Sequence, residues 1–149
     1  MTNYSDKYIP KHLSKKDKST IKKELKKSKK KYSKNKYYIR KKIKSFKSKK
    51  SKHVKNAKKM YNIDKIKANK KLSHKTKCSI KSLKKIVNKG KGAYYSSGSR
   101  PNQTPHSWGI ARLSSAITGG PASIIDIHLL KNGCHKNSNA LKLALKNIK

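Results

Sequence analysis

The residues best suited to chemistry lie between Lys89 and Trp108, in the run KGKGAYYSSGSRPNQTPHSW. Gly90, Gly92 and Gly98 permit close approach of backbone to a ligand. Ser96, Ser97, Ser99 and Arg100 add hydroxyls and a guanidinium fork, a set that suits a phosphate cradled in a backbone nest. An anion-binding loop made of Gly92, Ser96, Ser97, Gly98, Ser99 and Arg100 is therefore expected. A plain structural turn is the competing reading. The run matches neither the phosphate loop of nucleotide hydrolases nor the dinucleotide fingerprint.

Catalysis finds less support. Tyr94, Tyr95, Ser97, Arg100, His106, Asp126 and His128 are polar candidates, but no nucleophile-elbow spacing occurs. Asp126 is the only carboxylate after Asp64, which disfavours a paired-carboxylate mechanism. Asp126 and His128 would share a strand face, and a salt bridge explains that equally well. His74, Cys78, Cys134 and His135 carry zinc-ligand chemistry, but their spacing fits no known finger, so no metal site and no cofactor are expected.

Charge dominates everything else. The 149 residues hold 43 Lys+Arg against 5 Asp+Glu, a formal net charge of +38. Self-repulsion at that charge opposes compaction unless a polyanion supplies counter-charge. Nucleic acid does so, with one negative charge per ~1.7 Å of duplex. Nearly all the cations are Lys, a hydrated point charge suited to phosphates more than to forked base reading. An AT-rich genome accounts for part of the Lys bias and leaves the scarcity of acids unexplained. No convincing amphipathic face or spanning run points to a membrane. No secretory signal is visible, and Cys78 and Cys134 read as reduced thiols of an intracellular chain.

Most cations precede residue 93, and large apolar residues are sparse before about residue 70. Residues 1–67 are therefore expected to be a basic arm, partly helical or disordered, and residues 68–149 a compact domain. Within the arm, Ser14 and Asp17 form a capping-box pattern ahead of Ile21, Leu25 and Tyr32. Val54, Ala57 and Tyr61 mark a second short helix, and the run around Arg40, Lys41 and Lys42 is a basic contact segment.

Residues 70–90 resemble a helix-turn-helix core. Leu72 and Ile80, Leu83 and Ile86 face inward, Lys77-Cys78 takes the turn, and Ser79 caps the second helix. Lys77 stands where the motif usually has Gly. The outward residues would be Lys81, Ser82, Lys84 and Lys85, with Lys81 and Ser82 nearest base edges. Two amphipathic helices that only pack on the rest of the chain are the alternative. Gly90 is expected to end the second helix.

The rest reads as an α+β module, giving a mainly α, α+β fold with a short two-stranded sheet. Ala93–Ser96 would be one strand. Thr104-Pro105 starts a helix carrying Ile110, Leu113 and Ile117, and Gly119-Gly120-Pro121 stops it. Ile125, Ile127 and Leu129 alternate with polar residues as the other strand, and Ser138 caps a last helix.

Residues Gly90–Thr104, then His106-Ser107-Trp108 and Ala111-Arg112-Leu113, resemble an uncharacterised domain family of large double-stranded DNA viruses and some phages. Tyr8–Asp17 and the segment Tyr37–Ser51 resemble it too. The resemblance implies a viral source and assigns no catalytic residue. With the charge, it leads to the expectation of a viral nucleic-acid-binding protein, on double-stranded DNA, associated with the genome in the virion or present in host cytoplasm or nucleus during infection. A minor virion protein contacting acidic surfaces of capsid proteins is one rival. An enzyme acting on nucleic acid or nucleotides through residues 90–108 is another.

Overall fold

The computed structural model describes residues 7–48 and 51–148. Among them the chain forms helices α1 (Lys15–Ser33), α2 (Lys52–Tyr61), α3 (Lys70–Thr76), α4 (Ile80–Ser96), α5 (Pro105–Ile117), α6 (Pro121–Ile125), α7 (Ile127–Gly133) and α8 (Asn139–Asn147). The expected two-stranded sheet does not form: the only β pairing among the described residues is an isolated bridge, Cys78 with Cys134. The fold is all-helical, which corrects the α+β expectation.

Both expected strands are helix, for different reasons. Ala93–Ser96 is the last turn of α4, which continues through Gly90 and Gly92 instead of stopping there. A Cβ on Gly92 would sit 3.7 Å from the Tyr32 hydroxyl, an ordinary contact, so nothing at that helix face demands glycine. The segment 125–129 lies in α6 and α7. The alternation there misleads, because Ile125 is 63% exposed while Asp126 is fully buried. The Arg112 guanidinium draws Asp126 inward through two hydrogen bonds of 2.8 Å. A short apolar run of this kind fits helix and strand patterns alike.

Helix starts follow the local chemistry. Ser14 Oγ accepts from Asp17 N–H at 3.1 Å, Ser79 Oγ from Ser82 N–H at 3.2 Å, Thr104 Oγ1 from Ser107 N–H at 3.0 Å, and Ser138 Oγ from Leu141 N–H at 3.4 Å. Only half of the expected capping box is made at α1, since the Asp17 carboxylate accepts from the Ser45 hydroxyl instead. Gly119, at φ 75°, turns the chain out of α5, and Pro121 opens α6.

Contacts divide the chain into two compact units, Met1–Lys49 with Lys91–Trp108, and Lys50–Gly90 with Gly109–Lys149. This is not the division expected after residue 67. The first unit has a small core of Ile9, Leu13, Ile21, Leu25 and Ile43, with Tyr8 and Phe46 packed against it. The second has a larger core that includes Tyr61, Leu72, Leu83, Ile86, Leu113, Ile117, Leu130 and Leu141. Tyr61 also donates to the Ile117 carbonyl at 2.5 Å.

In the second unit Cys78 and Cys134 form a disulfide. This corrects the expectation of two free thiols. The bridge is flanked by Ser79 N–H to Gly133 O at 2.7 Å and His135 N–H to Lys77 O at 2.8 Å. Cys78 and Cys134 are thus a non-hydrogen-bonded antiparallel pair, the closer of the two kinds, with Cα atoms 3.8 Å apart. Among the described residues no helix is long and apolar enough to cross a membrane.

Candidate nucleic-acid interface

Two of the four carboxylates among the described residues are buried inside the units. In the first, Glu24 is buried and accepts from the Tyr38 hydroxyl at 2.9 Å and from Lys41 N–H at 2.6 Å. Burial, then the hydrogen bond to Glu24 and its charge, push the Tyr38 hydroxyl up from its ordinary pKa. In the second, buried Asp126 pairs with Arg112 and lies 3.8 Å from Lys89. The hydrogen bond to Asp126 raises the Arg112 pKa, and that residue's charge adds to the effect against partial desolvation. Asp17 is half-buried, which leaves Asp64 as the exposed acid among the described residues.

The cations are disposed the opposite way. Helix α1 carries ten Lys in 19 residues, and its inward positions are Ile21, Glu24, Leu25 and Ser28. It is about 28 Å long at ~1.5 Å per residue, a length over which one duplex strand offers roughly eight phosphates. On α4, Lys81, Lys84 and Lys85 are exposed, as are Lys41 and Lys42 in the first unit.

Two expected contact residues are placed otherwise. Ser82 is buried, and its Oγ occupies space that a Cβ on Gly133 would need, so it does not face outward as a base reader. Arg40 is part of its own unit. Its guanidinium lies 3.7 Å from the centroid of the Tyr94 ring. It donates to Ser28 Oγ at 2.9 Å, to the Tyr94 carbonyl at 2.6 Å and to Ser99 Oγ at 2.7 Å. The Arg40 N–H donates to the Tyr94 hydroxyl at 3.0 Å.

The helical pair takes the expected form at its turn. Helix α3 ends at Thr76, and Lys77 adopts φ 58°, ψ 35°, the left-handed conformation for which Gly is the usual choice. Ser73 Oγ donates to the Cys78 carbonyl at 2.5 Å and ties the turn down. Cys78 and Cys134 are bonded to each other, and among the described residues no group of three or more His, Cys, Asp or Glu converges as a metal set.

The expected anion loop is largely occupied by its own fold. Gly92 and Ser96 lie in α4, so the loop proper is shorter than expected. Gly98, at φ 123°, packs on Leu25 and Tyr8, where a Cβ would come within 2.9 Å of Leu25. Ser99 is buried, accepts from Arg40 and donates to the Arg100 carbonyl at 2.9 Å. Asn102, at φ 65°, accepts from Ile43 N–H at 2.6 Å and donates to the carbonyls of Ile43 and Phe46 at 3.0 Å. The Ser96 and Ser97 hydroxyls lie 3.4 Å apart, and Arg100 is exposed. The recess lined by Glu24, Arg40, Tyr94, Ser99, Arg100 and Asn102 holds about 20 Å³, room for about one water.

One arrangement was not foreseen. The paired tyrosines at 37–38 and 94–95 meet at one side of the first unit. Tyr32 and Tyr95 stack at 5.7 Å with an interplanar angle of 11°, and Tyr37 lies 5.0 Å from Tyr95 and 6.1 Å from Tyr32. The signal available beforehand was tyrosine doublets interleaved with Lys.

Residues 6–128 match a family of unknown function, DUF5824. The chain belongs to that family. No curated protein and no solved structure matches it. The span that places it in DUF5824 takes in every candidate contact and loop residue named above, from Arg40 to Arg100.

Proposed function

We propose that the protein binds nucleic acid, with double-stranded DNA as its target, through phosphate contacts. The observation that carries this reading is the sorting of charge. Glu24 and Asp126 are buried and hydrogen-bonded, while Lys crowds the outer faces of α1 and α4. A surface so depleted of acid attracts a polyanion at long range and releases its counterions on contact. The resemblance to a family of large DNA viruses and phages supports a viral genome as the partner, bound in the virion or in host cytoplasm or nucleus. The Gly92–Arg100 segment is better read as structural than as an active site, because its recess is about 20 Å³, Gly98 packs on Leu25 and Tyr8, and Ser99 is hydrogen-bonded within the unit.

Duplex binding is tested by its salt dependence. With ~6–10 phosphates neutralised, log K should fall against log[salt] with a slope of about −5 to −9. Charge reversal in Lys81→Glu/Lys85→Glu should weaken binding to all sequences alike. A slope near zero overturns the reading. Poly-glutamate that binds as tightly as duplex of equal charge would favour instead a virion protein seated on acidic capsid surfaces.

A further inference from the structure

We propose that Tyr32, Tyr37 and Tyr95 form a stacking platform for an unpaired base, so that the protein gains a base contact wherever the DNA it binds is opened or single-stranded. The inference rests on the nucleic-acid reading above and adds a contact that phosphate neutralisation does not supply. Tyr37 is 73% exposed, an unusual place for a ring that touches two others. Its neighbours are held from behind. Tyr32 and Tyr95 stack nearly parallel, and Tyr95 meets the fully buried Tyr94 edge-on at 5.3 Å. The Arg40 guanidinium covers Tyr94 in turn.

The platform is therefore fixed before any ligand arrives, and its outer ring is open. Its surroundings are cationic. Lys34 and Lys36 flank Tyr37 in sequence and are exposed, and the Lys27 and Lys31 ammoniums lie 4.6 and 5.1 Å from the Tyr38 ring centroid. An aromatic face with lysines on either side matches the two needs of a single strand, a surface for the base and charge for its backbone. A paired base keeps its faces inside the duplex stack and cannot use the ring.

The test compares three end-labelled probes with the same number of phosphates: an oligo-dT strand, an abasic strand and a hairpin duplex. The wild-type protein should bind oligo-dT more tightly than the abasic strand. Tyr37→Ala should weaken oligo-dT binding by about 5- to 150-fold, the range for one stacked base, and change duplex binding far less. Tyr37→Phe keeps the ring and should retain the affinity, while Tyr37→Leu should not. Equal binding of oligo-dT and abasic strands overturns the platform and leaves the duplex reading standing. So does an equal loss for all probes in Tyr37→Ala. Failure of the wild-type protein to bind any of the three overturns the nucleic-acid reading and the platform together.

Discussion

Arg40 shows how a basic residue in a basic run can be structural. Its neighbours Lys41 and Lys42 extend into solvent, but its planar fork reaches Ser28, the Tyr94 carbonyl and Ser99 at once. Arg40→Lys keeps the charge and loses the fork and the ring stacking. Stability to urea should fall by about 2–3 kcal/mol, while the salt slope of duplex binding stays the same. A variant with unchanged stability and a shallower slope would return Arg40 to the interface. Tyr61 makes the corresponding test in the second unit. Burial pushes its hydroxyl up to about 12 from the usual 10.0. The unfolded chain therefore gives up that proton before the folded one. Stability should decline as pH rises between about 10 and 12, by at most ~1.4 kcal/mol per pH unit from this group. Tyr61→Phe should remove that part of the alkaline loss while costing about 1 kcal/mol at neutral pH, through the unpaired Ile117 carbonyl. An alkaline melting profile identical in the two proteins would exclude Tyr61 as its source.

Among the elements, the α3–α4 turn depends on a distant partner. The turn holds Lys77 at positive φ, normally a reason for glycine, and the disulfide ties it to the end of α7 across 56 residues of sequence. Closing a loop of that length restricts the unfolded chain and contributes about 2–4 kcal/mol. Cys78→Ser/Cys134→Ser should lower the thermal midpoint accordingly, and reductant should lower that of the wild type but not of the variant. If reductant has no effect on the wild type, the disulfide does not support the turn. The caps, by contrast, are independent of distance. Ser14, Ser79, Thr104 and Ser138 each meet an amide three residues on, as the local pattern predicts.

At the scale of the whole chain, a basic composition does not make residues 1–67 an appendage. Ala57 and Tyr61 belong to the core of the second unit, and Ile21 and Leu25 to that of the first. A fragment of residues 68–149 should therefore melt well below the full chain, or not fold cooperatively, because it lacks α2 beneath the larger core. Circular dichroism on heating decides this. An unchanged midpoint would mean that α2 contributes nothing to the second unit.

Charge and helix starts were legible from residues alone, because each depends on composition or on neighbours within four positions. Ser79 as a cap and the left-handed strain at Lys77 are examples. The helical state of Ala93–Ser96 and of Ile125–Leu129 was not legible. It depends on Tyr94 meeting Arg40, 54 residues away, and on Asp126 meeting Arg112. At Asp126 the pairing rewards burying a polar side chain where alternation predicts exposure, and in both cases only the folded chain supplies the partner. The same holds for the pairing of Cys78 with Cys134 and for the tyrosine cluster. Sequence provides the rings and thiols, but non-local packing decides which of them come within a few ångströms of one another.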